Sequence, residues 1–216
     1  LWHADEFWND TDDVVAEVVG QGFDRVQTSV SYSLAPGSEV EVLETTDPTA
    51  ATAIDLVGND HNNTITGNDG ANVIVGGLGI DTLRGNGGGD AFLWSSVAEV
   101  GSDDVVDYSS APGPVSVNLG TSTGTGWGTD VLNVEDVAGS AFADTIYGNG
   151  GANLLDGLGG NDVIEGRGGN DLLDGDAGSD KLRGGTGRDV VLYDFAPRAV
   201  RVNLATRKAT GWGTDS

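Results

Sequence analysis

A nine-residue repeat occurs in two blocks of the chain, and every unit places its residue types at fixed positions. The longer block begins at Gly139 and reads GSAFADTIY, GNGGANLLD, GLGGNDVIE, GRGGNDLLD, GDAGSDKLR, GGTGRDVVL. The shorter block begins at Gly58 and reads GNDHNNTIT, GNDGANVIV, GGLGIDTLR, GNGGGDAFL. Each unit opens with glycine, carries Asp or Asn at its sixth position and has an apolar residue at its eighth. Such a repeat requires the chain to stack copies of one short structural unit.

The spacing predicts a strand and a turn in each unit. One inward apolar residue per unit fits a strand of about three residues. The remainder is rich in Gly, Asn and Asp, which tolerate positive φ and tight turning. We expect two units to complete one circuit, so that residues 18 apart stack on the same side. The predicted fold is all-β, a right-handed parallel β-roll or β-solenoid. The eighth positions expected to form its core are Ile65, Ile74, Leu83, Phe92, Ile146, Leu155, Ile164, Leu173, Leu182 and Val191.

The sixth positions indicate metal binding. The glycine-rich backbone exposes carbonyl oxygens, and the sixth-position carboxylates are expected to point into the gap between stacked turns. Clustered hard oxygens suit calcium, which accepts six to eight such ligands. One apolar side chain in nine residues recovers less free energy than ordering nine residues costs, and stacked carboxylates repel one another. We therefore expect the repeat blocks to be largely unfolded without bound cations.

The pattern resembles the RTX (haemolysin-type) calcium-binding repeat GGxGxDxUx. The resemblance implies that calcium lies between turns one circuit apart, bound by sixth-position carboxylates and by carbonyl groups of the glycine-rich turn. Carried onto this chain, the pairs with two carboxylates are Asp144 with Asp162, Asp162 with Asp180, and Asp171 with Asp189. The pairs with one carboxylate are Asn63 with Asp81, Asn72 with Asp90, and Asn153 with Asp171. We expect each pair of the first block to stand alone on its side.

The same resemblance implies turn ligands that act through their backbone carbonyl groups. They lie at the glycine-rich start of each unit. The predicted residues are Gly76, Gly77, Gly79, Gly85, Gly87, Gly148, Gly150, Gly157, Gly159, Gly160, Gly166, Gly168, Gly169, Gly175, Ala177, Gly178, Gly184, Gly185 and Gly187.

Composition excludes several function classes. The formal net charge is −24, from 34 acidic and 10 basic residues, so a nucleic acid backbone would be repelled. Cysteine is absent, which excludes a disulfide framework, and methionine is absent too. No apolar run is long enough to predict a transmembrane segment. We interpret the chain as a fragment of a larger secreted bacterial protein.

A longer period organises the chain into segments. Residues 113–130 read GPVSVNLGTSTGTGWGTD and residues 198–215 read RAVRVNLATRKATGWGTD, an offset of 85. Residues 115–138 also resemble spacers found between RTX repeat blocks, with strands expected at 115–119 and 131–137. Before the first block, strands are expected at 14–19, 26–34 and 40–43, with a short helix over 5–18 as the alternative. The predicted division is 1–57 β-rich lead-in, 58–94 first calcium block, 95–138 spacer, 139–193 second calcium block, and 194–216 a further spacer.

The remaining motifs do not predict catalysis. There is no HExxH, and the only histidines are His3 and His61, too few for a zinc centre. One lies near the amino terminus and the other in a predicted turn, so no Ser/His/Asp arrangement is expected. The ninth-position acids Asp156 and Asp174 have either a glycosidase-like role or, more commonly on a solenoid, a solvent-facing one. Trp127 and Trp212 serve either as sugar-stacking platforms or as residues packed over a coil edge.

The sequence thus predicts a noncatalytic, calcium-binding segment that folds in the extracellular medium. One interpretation is a structural or adhesive part of a large protein secreted by a type I system or displayed on the cell surface. The alternative is a noncatalytic module of a secreted enzyme such as an alginate epimerase, a lipase or a serralysin-like protease. Calcium ions are the predicted cofactor, and extracellular polysaccharide or the cell surface is a candidate partner.

Overall fold

The computed structural model describes residues 6–9, 22–93, 104–193, 196, 201–203, 208–210 and 214–215. These residues form strands and turns, with one short 3₁₀ helix at Leu119–Thr121. The strands are β1 (Glu6–Asn9), β2 (Asp24–Thr28), β3 (Tyr32–Ser33), β4 (Val40–Thr45), β5 (Leu56–Val57), β6 (Thr64–Thr66), β7 (Val73–Val75), β8 (Thr82–Arg84), β9 (Ala91–Leu93), β10 (Val105–Asp107), β11 (Ser116–Asn118), β12 (Thr123–Thr125), β13 (Thr129–Val131), β14 (Asp136–Ala138), β15 (Thr145–Tyr147), β16 (Leu154–Asp156), β17 (Gly159–Gly160), β18 (Val163–Gly168), β19 (Leu172–Asp174), β20 (Ala177–Gly178), β21 (Lys181–Thr186), β22 (Val190–Val191), β23 (Arg201–Asn203), β24 (Lys208–Thr210) and β25 (Thr214–Asp215). The prediction of an all-β parallel β-roll is confirmed.

The chain divides into two compact units, of which the first contains residues 1–106 and 128–134. Its strands form two parallel sheets. One has the order β1-β2-β4-β6-β8-β10, and the other has the order β13-β9-β7-β5-β3. Successive strands alternate between these sheets through the first repeat block, as expected of a coil that spends one unit on each side.

The second unit contains residues 107–127 and 135–216. Its two main parallel sheets have the orders β14-β16-β19-β22 and β11-β15-β18-β21, and β12 pairs antiparallel with β11. Strands β17 and β20 pair within the turns. Near the carboxyl end, β23, β24 and β25 form an antiparallel sheet.

Strand register confirms the predicted circuit within each block. Ile65 pairs with Leu83 and Ile74 with Phe92 in the first unit. The second unit repeats this offset at Ile146 with Ile164, Ile164 with Leu182, Leu155 with Leu173 and Leu173 with Val191. The offset widens outside the repeats, where Leu83 pairs with Val106 and Ala91 pairs with Val131.

The eighth-position residues form the core of each unit. Exposure does not exceed 1% for Ile65, Ile74, Leu83, Phe92, Ile146, Leu155, Ile164 and Leu173. Leu182 is half-buried and Val191 is exposed, so burial declines over the last units of the second block. Burying one such side chain stabilises the fold by roughly 1.5–3 kcal/mol, and the column of them holds successive circuits together.

The flanking strands agree only in part with expectation. Val115, Val117 and Leu119 are buried around β11, as their alternation predicts. The single strand expected at 131–137 is wrong: Val131 pairs with Ala91 and Val137 pairs with Leu155, so these residues belong to different strands. In the lead-in, β4 matches the segment expected at 40–43, whereas the segment expected at 26–34 is two strands, β2 and β3, which lie in different sheets. The strand expected at 14–19 and most of the alternative helix at 5–18 lie outside the described residues, although β1 occupies part of the latter.

Candidate metal centre

The sixth-position carboxylates lie buried between circuits and accept backbone hydrogen bonds. The N–H of Asp144 donates to Oδ1 of Asp162 at 2.8 Å, and the N–H of Asp162 donates to Oδ1 of Asp180 at 2.9 Å. On the other side of the coil, the N–H of Asn153 donates to Asp171 and that of Asp171 donates to Asp189. Each carboxylate therefore points toward the preceding circuit. All three predicted two-carboxylate pairs of the second block are joined in this way.

The second carboxylate oxygen is left without a partner at several of these positions. The Oδ2 atoms of Asp90, Asp162 and Asp171 are buried and accept no hydrogen bond. A buried anionic oxygen without a donor is costly, because it has lost water and gained nothing in exchange. A bound cation would supply the missing partner. These three oxygens fit the calcium site that the repeat pattern predicts.

The first-position glycines make room for these oxygens. A Cβ atom added at Gly157 would lie 2.5 Å from Oδ2 of Asp162, so the carboxylate would have to shift. A Cβ at Gly166 would collide with Oδ2 of Asp171 in the same way. Glycine opens each unit because the sixth-position side chain of that unit lies directly over it.

The other predicted turn residues lie in the same glycine-rich turns. Below sixth-position side chains lie Gly76, Gly85, Gly148, Gly175 and Gly184. Positive φ is found at Gly77, Gly79, Gly160, Gly169, Gly185 and Gly187. At Gly160 this conformation also brings the backbone against Phe142, where a Cβ would lie 2.5 Å from the carbonyl oxygen. Five further predicted residues lie within the turns or their short strands: Gly87, Gly159, Gly168, Ala177 and Gly178. Gly150 is exposed, and nothing lies within 4 Å of a Cβ added there.

Burial and neighbouring charge disfavour ionisation of these carboxylates. Burial raises the pKa of Asp162 to about 6, and the negative charge of Asp144 adds to the rise. Burial raises the pKa of Asp90 to about 7, with a further contribution from the charge of Asp130. The pKa of Asp171 is also raised, by burial and then by Asp189. A divalent cation between the circuits would offset this repulsion and favour the ionised form.

In the pairs that contain asparagine, the side-chain amide makes its own hydrogen bonds to the backbone. The Nδ2 of Asn72 donates to the carbonyl oxygen of Ile54 at 2.9 Å, and its Oδ1 accepts from the N–H of Asn68 at 3.0 Å. The Nδ2 of Asn153 donates to the carbonyl oxygen of Glu135 at 2.6 Å. The amide thus supplies a donor to a backbone oxygen one circuit back. These positions depend less on a cation than the carboxylate positions do.

Arg167 places a positive charge beside the carbonyl group of Gly148, the first residue of the unit that contains Asn153. Its Nη1 donates to the carbonyl oxygen of Gly148 at 3.1 Å and to Oδ1 of Asn118 at 2.9 Å. The guanidinium carbon lies 5.0 Å from the centroid of the Tyr147 ring. Gly148 was predicted as a carbonyl ligand, but its oxygen already faces this guanidinium. Sequence reasoning missed this role because Arg167 reaches it only through a backbone φ of 74°.

The ninth-position acids stabilise turns. Oδ1 of Asp156 accepts the N–H of Leu158 at 2.9 Å, and Oδ1 of Asp174 accepts the N–H of Asp176 at 3.1 Å. Leu158 and Asp176 both have positive φ, so these bonds hold strained turns. Asp174 is buried, contrary to the solvent-facing position expected of ninth-position acids. Burial raises the pKa of Asp156, and the charge of Asp174 raises it further.

Two carboxylates outside the predicted set extend the same ladder. The N–H of Asp81 donates to Oδ1 of Asp104, and the N–H of Asp90 donates to Oδ1 of Asp130, both at 3.0 Å. The expectation that each first-block pair stands alone on its side is therefore wrong. For Asp130 the sequence held a signal, since Gly126, Gly128, Asp130 and Leu132 keep the spacing of a repeat. Asp104 has no glycine-rich turn before it, and only Val106 two residues later follows the pattern.

The remaining candidates from the sequence lie outside this ladder. His61 is an exposed turn residue whose N–H donates to Oδ1 of Asn59. Trp127 is half-buried, and Trp212 lies outside the described residues. Within the described ranges, no group of three or more His, Cys, Asp or Glu side chains is placed to hold a metal ion. The candidate sites therefore consist of carboxylate pairs and backbone oxygens. In the same ranges no helix is long and apolar enough to span a membrane.

A parallel β-roll with buried carboxylate pairs between its circuits belongs to the class of metal-binding repeat proteins. A family profile for the RTX calcium-binding nonapeptide repeat matches in 4 copies, over residues 56–92, 125–164 and 156–191. The chain therefore carries RTX calcium-binding nonapeptide repeats. The matched residues include Asp130 and its turn. No curated protein matches the chain.

Proposed function

We propose that this chain is a calcium-dependent folding segment, in which ions bound between consecutive circuits allow the repeat blocks to fold. The observation that carries this proposal is the unpartnered, buried Oδ2 of Asp162 and of Asp171. Each lies in a column of carboxylates whose ionisation the surrounding protein disfavours. Calcium supplies the opposing charge and accepts the irregular oxygen geometry of a glycine-rich turn. Because ions bind only the folded arrangement, their binding free energy stabilises the fold.

The proposed location is the extracellular medium or the cell surface. Extracellular calcium modules bind with dissociation constants of roughly 0.1–1 mM, so that they stay empty at cytosolic calcium levels and fill outside the cell. A repeat block that needs bound calcium to fold would remain unfolded during export and would fold in the extracellular medium. The absence of cysteine makes the chain compatible with that setting.

A structural or adhesive role is the proposed contribution to a larger protein. Stacked circuits of nine-residue units form a stiff, quasi-one-dimensional element whose stability comes from nearest-neighbour contacts. The sequences VNL and GWGTD occur before the second block and again after it, so the chain repeats the spacer as well as the nine-residue units. Such an element separates or presents neighbouring parts of a secreted protein.

Extracellular polysaccharide is the proposed partner. Trp127 occupies the third position of a repeat-like turn and is half-buried, so part of its indole faces solvent. An indole face beside glycines can stack on a sugar ring. A glycan array run in calcium with wild type and Trp127→Ala tests this partner, and equal binding by both proteins would remove Trp127 from the interaction.

Calcium titration monitored by circular dichroism tests the folding function. We expect chelated protein to lack most of the β signal of the repeats and to gain it cooperatively in millimolar calcium. Magnesium should substitute poorly, because it requires near-octahedral geometry and dehydrates reluctantly. An unchanged spectrum and melting temperature in excess EDTA would contradict the proposal.

A further inference from the structure

We propose that Asp130 and Asp104 complete calcium sites at the carboxyl-terminal end of the first block, pairing with Asp90 and Asp81 across much longer stretches of chain than the repeat spacing. This inference rests on the proposed calcium-dependent folding. The first-block sites that contain two carboxylates would then join residues whose separation differs from the 18-residue circuit.

The Asp130 turn stacks on the last unit of the first block as a fifth repeat would. The N–H of Asp90 donates to Oδ1 of Asp130 at 3.0 Å, and the N–H of Val131 donates to the carbonyl oxygen of Asp90 at 2.7 Å. The same two bonds join Asp162 to the next circuit, where its N–H donates to Asp180 and its carbonyl oxygen accepts from Lys181. The sequence separation is 40 residues in the first case and 18 in the second, yet the local bonding is the same.

The turn that precedes Asp130 also has repeat geometry. Gly128 has a φ of 138°, and a Cβ on it would collide with the carbonyl oxygen of Gly88 in the facing turn. In the second block, a Cβ on Gly178 would collide with the carbonyl oxygen of Gly160 in the same manner. Asp90 and Asp130 therefore face each other across the close turn-to-turn approach that joins the second-block carboxylate pairs.

The buried charge points to a cation at this place. Asp90 and Asp130 are each 1% exposed, and Oδ2 of Asp90 has no hydrogen-bond partner. On its other side Asp90 faces Asn72, whose amide already donates to a backbone oxygen. Asp130 is thus the residue that gives Asp90 a second carboxylate, and a cation at this place would give the buried Oδ2 of Asp90 the partner that it lacks.

Asp104 repeats the arrangement on the other side of the coil. The N–H of Asp81 donates to Oδ1 of Asp104 at 3.0 Å, and the N–H of Val105 donates to the carbonyl oxygen of Asp81 at 2.8 Å. Asp104 is 4% exposed. Here the separation is 23 residues. Both columns of the first block therefore end on a carboxylate supplied by the segment that follows it.

The test compares calcium binding by the full chain and its Asp130→Asn variant. Asparagine keeps the acceptor for the Asp90 N–H but removes the charge. The matched control is Asp60→Asn, which removes one charge from an exposed third position of the same block. Native mass spectrometry counts bound calcium ions, and hydrogen exchange measured against calcium concentration follows residues 85–93 and 163–173 separately.

We expect Asp130→Asn to bind fewer calcium ions and to raise the calcium midpoint for protection of residues 85–93 about tenfold or more, as loss of a charged ligand does. Residues 163–173 should keep the wild-type midpoint, as should both segments in Asp60→Asn. If Asp130→Asn retains the wild-type ion count and midpoint while residues 163–173 respond to calcium, this inference is overturned and the proposed function stands. If neither segment of the wild type responds to calcium, the proposed function itself fails.

Discussion

The backbone N–H of Asp144 donates to Oδ1 of Asp162 at 2.8 Å, and this bond ties one circuit of the second block to the next through a buried carboxylate. Asp162 repeats the relationship with Asp180 through its own N–H. A single carboxylate thus accepts a bond from the circuit before it and leaves its second oxygen for a cation. In the proposed calcium-bound form, one side chain would combine hydrogen bonding and metal binding, so each would depend on the position that the other imposes.

Replacing Asp162 by alanine is expected to weaken the binding of two calcium ions, because Asp162 belongs to the pairs with Asp144 and with Asp180. We expect Asp162→Ala to raise the calcium midpoint for folding of the second block by about tenfold or more. Asp189→Ala, which removes a half-buried carboxylate from one described pair, should raise it less. Calcium titrations followed by hydrogen exchange of residues 163–173 measure both shifts. Equal shifts would show that the ions of one block do not share carboxylates.

Replacing Gly157 by alanine tests the packing of the carboxylate over the opening glycine. The new methyl group would lie 2.5 Å from Oδ2 of Asp162, so the carboxylate must move away from its site. We expect Gly157→Ala to destabilise the calcium-loaded second block by about 1–3 kcal/mol, the usual cost of overpacking. Denaturant unfolding in saturating calcium measures this change.

Gly150→Ala is the control for that substitution, because nothing lies within 4 Å of a Cβ added there. Its free energy of unfolding should stay within about 0.5 kcal/mol of wild type. A Gly150→Ala variant as unstable as Gly157→Ala would mean that loss of backbone freedom in the turns, rather than crowding of Asp162, controls stability.

Sequence periodicity predicted the fold and most of the carboxylate column for a physical reason. Asp162 and Ile164 sit at fixed phase because every circuit within a block has the same length, so spacing along the chain translates into stacking in space. Asp104 escaped prediction because no glycine-rich turn precedes it and its stacking partner is 23 residues away. Asp130 keeps the local spacing of a repeat, but its stacking partner is 40 residues away, a distance that no period encodes. The role of Arg167 escaped for a different reason, since its reach to Gly148 depends on backbone conformation rather than on residue order.

Replacing Asn153 by aspartate should make the second block more dependent on calcium. The variant loses the Nδ2 donor to the carbonyl oxygen of Glu135 and places a carboxylate against that oxygen. At calcium concentrations too low to saturate the second block, we expect the free energy of opening around β16 to fall by about 1–3 kcal/mol, the cost of an unsatisfied buried group. Hydrogen exchange of residues 154–156 at such a calcium concentration measures this change, and high calcium should restore part of the protection.

Asn170→Asp is the matched control, because Asn170 is exposed and its Oδ1 accepts the N–H of Arg188, a bond that a carboxylate retains. It makes the same chemical change without removing a buried donor. If Asn153→Asp at the same low calcium concentration exchanges no faster than Asn170→Asp, the amide of Asn153 does not stabilise the partly loaded circuit.

Acidification should favour the folded form of the calcium-free chain. Burial raises the pKa of Asp90 to about 7 and that of Asp162 to about 6, both above the ordinary value of 3.8. Between the unfolded and folded pKa values the folded state binds more protons, so its stability falls as pH rises through that range. For Asp162 this loss is complete near pH 6 and for Asp90 near pH 7. In EDTA, we therefore expect more β signal at pH 5 than at pH 8.

Neutral variants distinguish the contribution of these two carboxylates to the pH response from the contribution of the net charge of the chain. Asp90→Asn and Asp162→Asn mimic the protonated form, so each should raise the β signal at pH 8 in EDTA and reduce the difference between pH 8 and pH 5. Asp47→Asn is the control: hydrogen bonds from Thr49 hold the pKa of Asp47 below its usual value, so that carboxylate stays ionised over the whole interval. Circular dichroism of the four proteins at both pH values makes the comparison. If all three variants keep the wild-type pH difference, protonation of Asp90 and Asp162 does not govern folding of the calcium-free chain, and repulsion among its many surface carboxylates does.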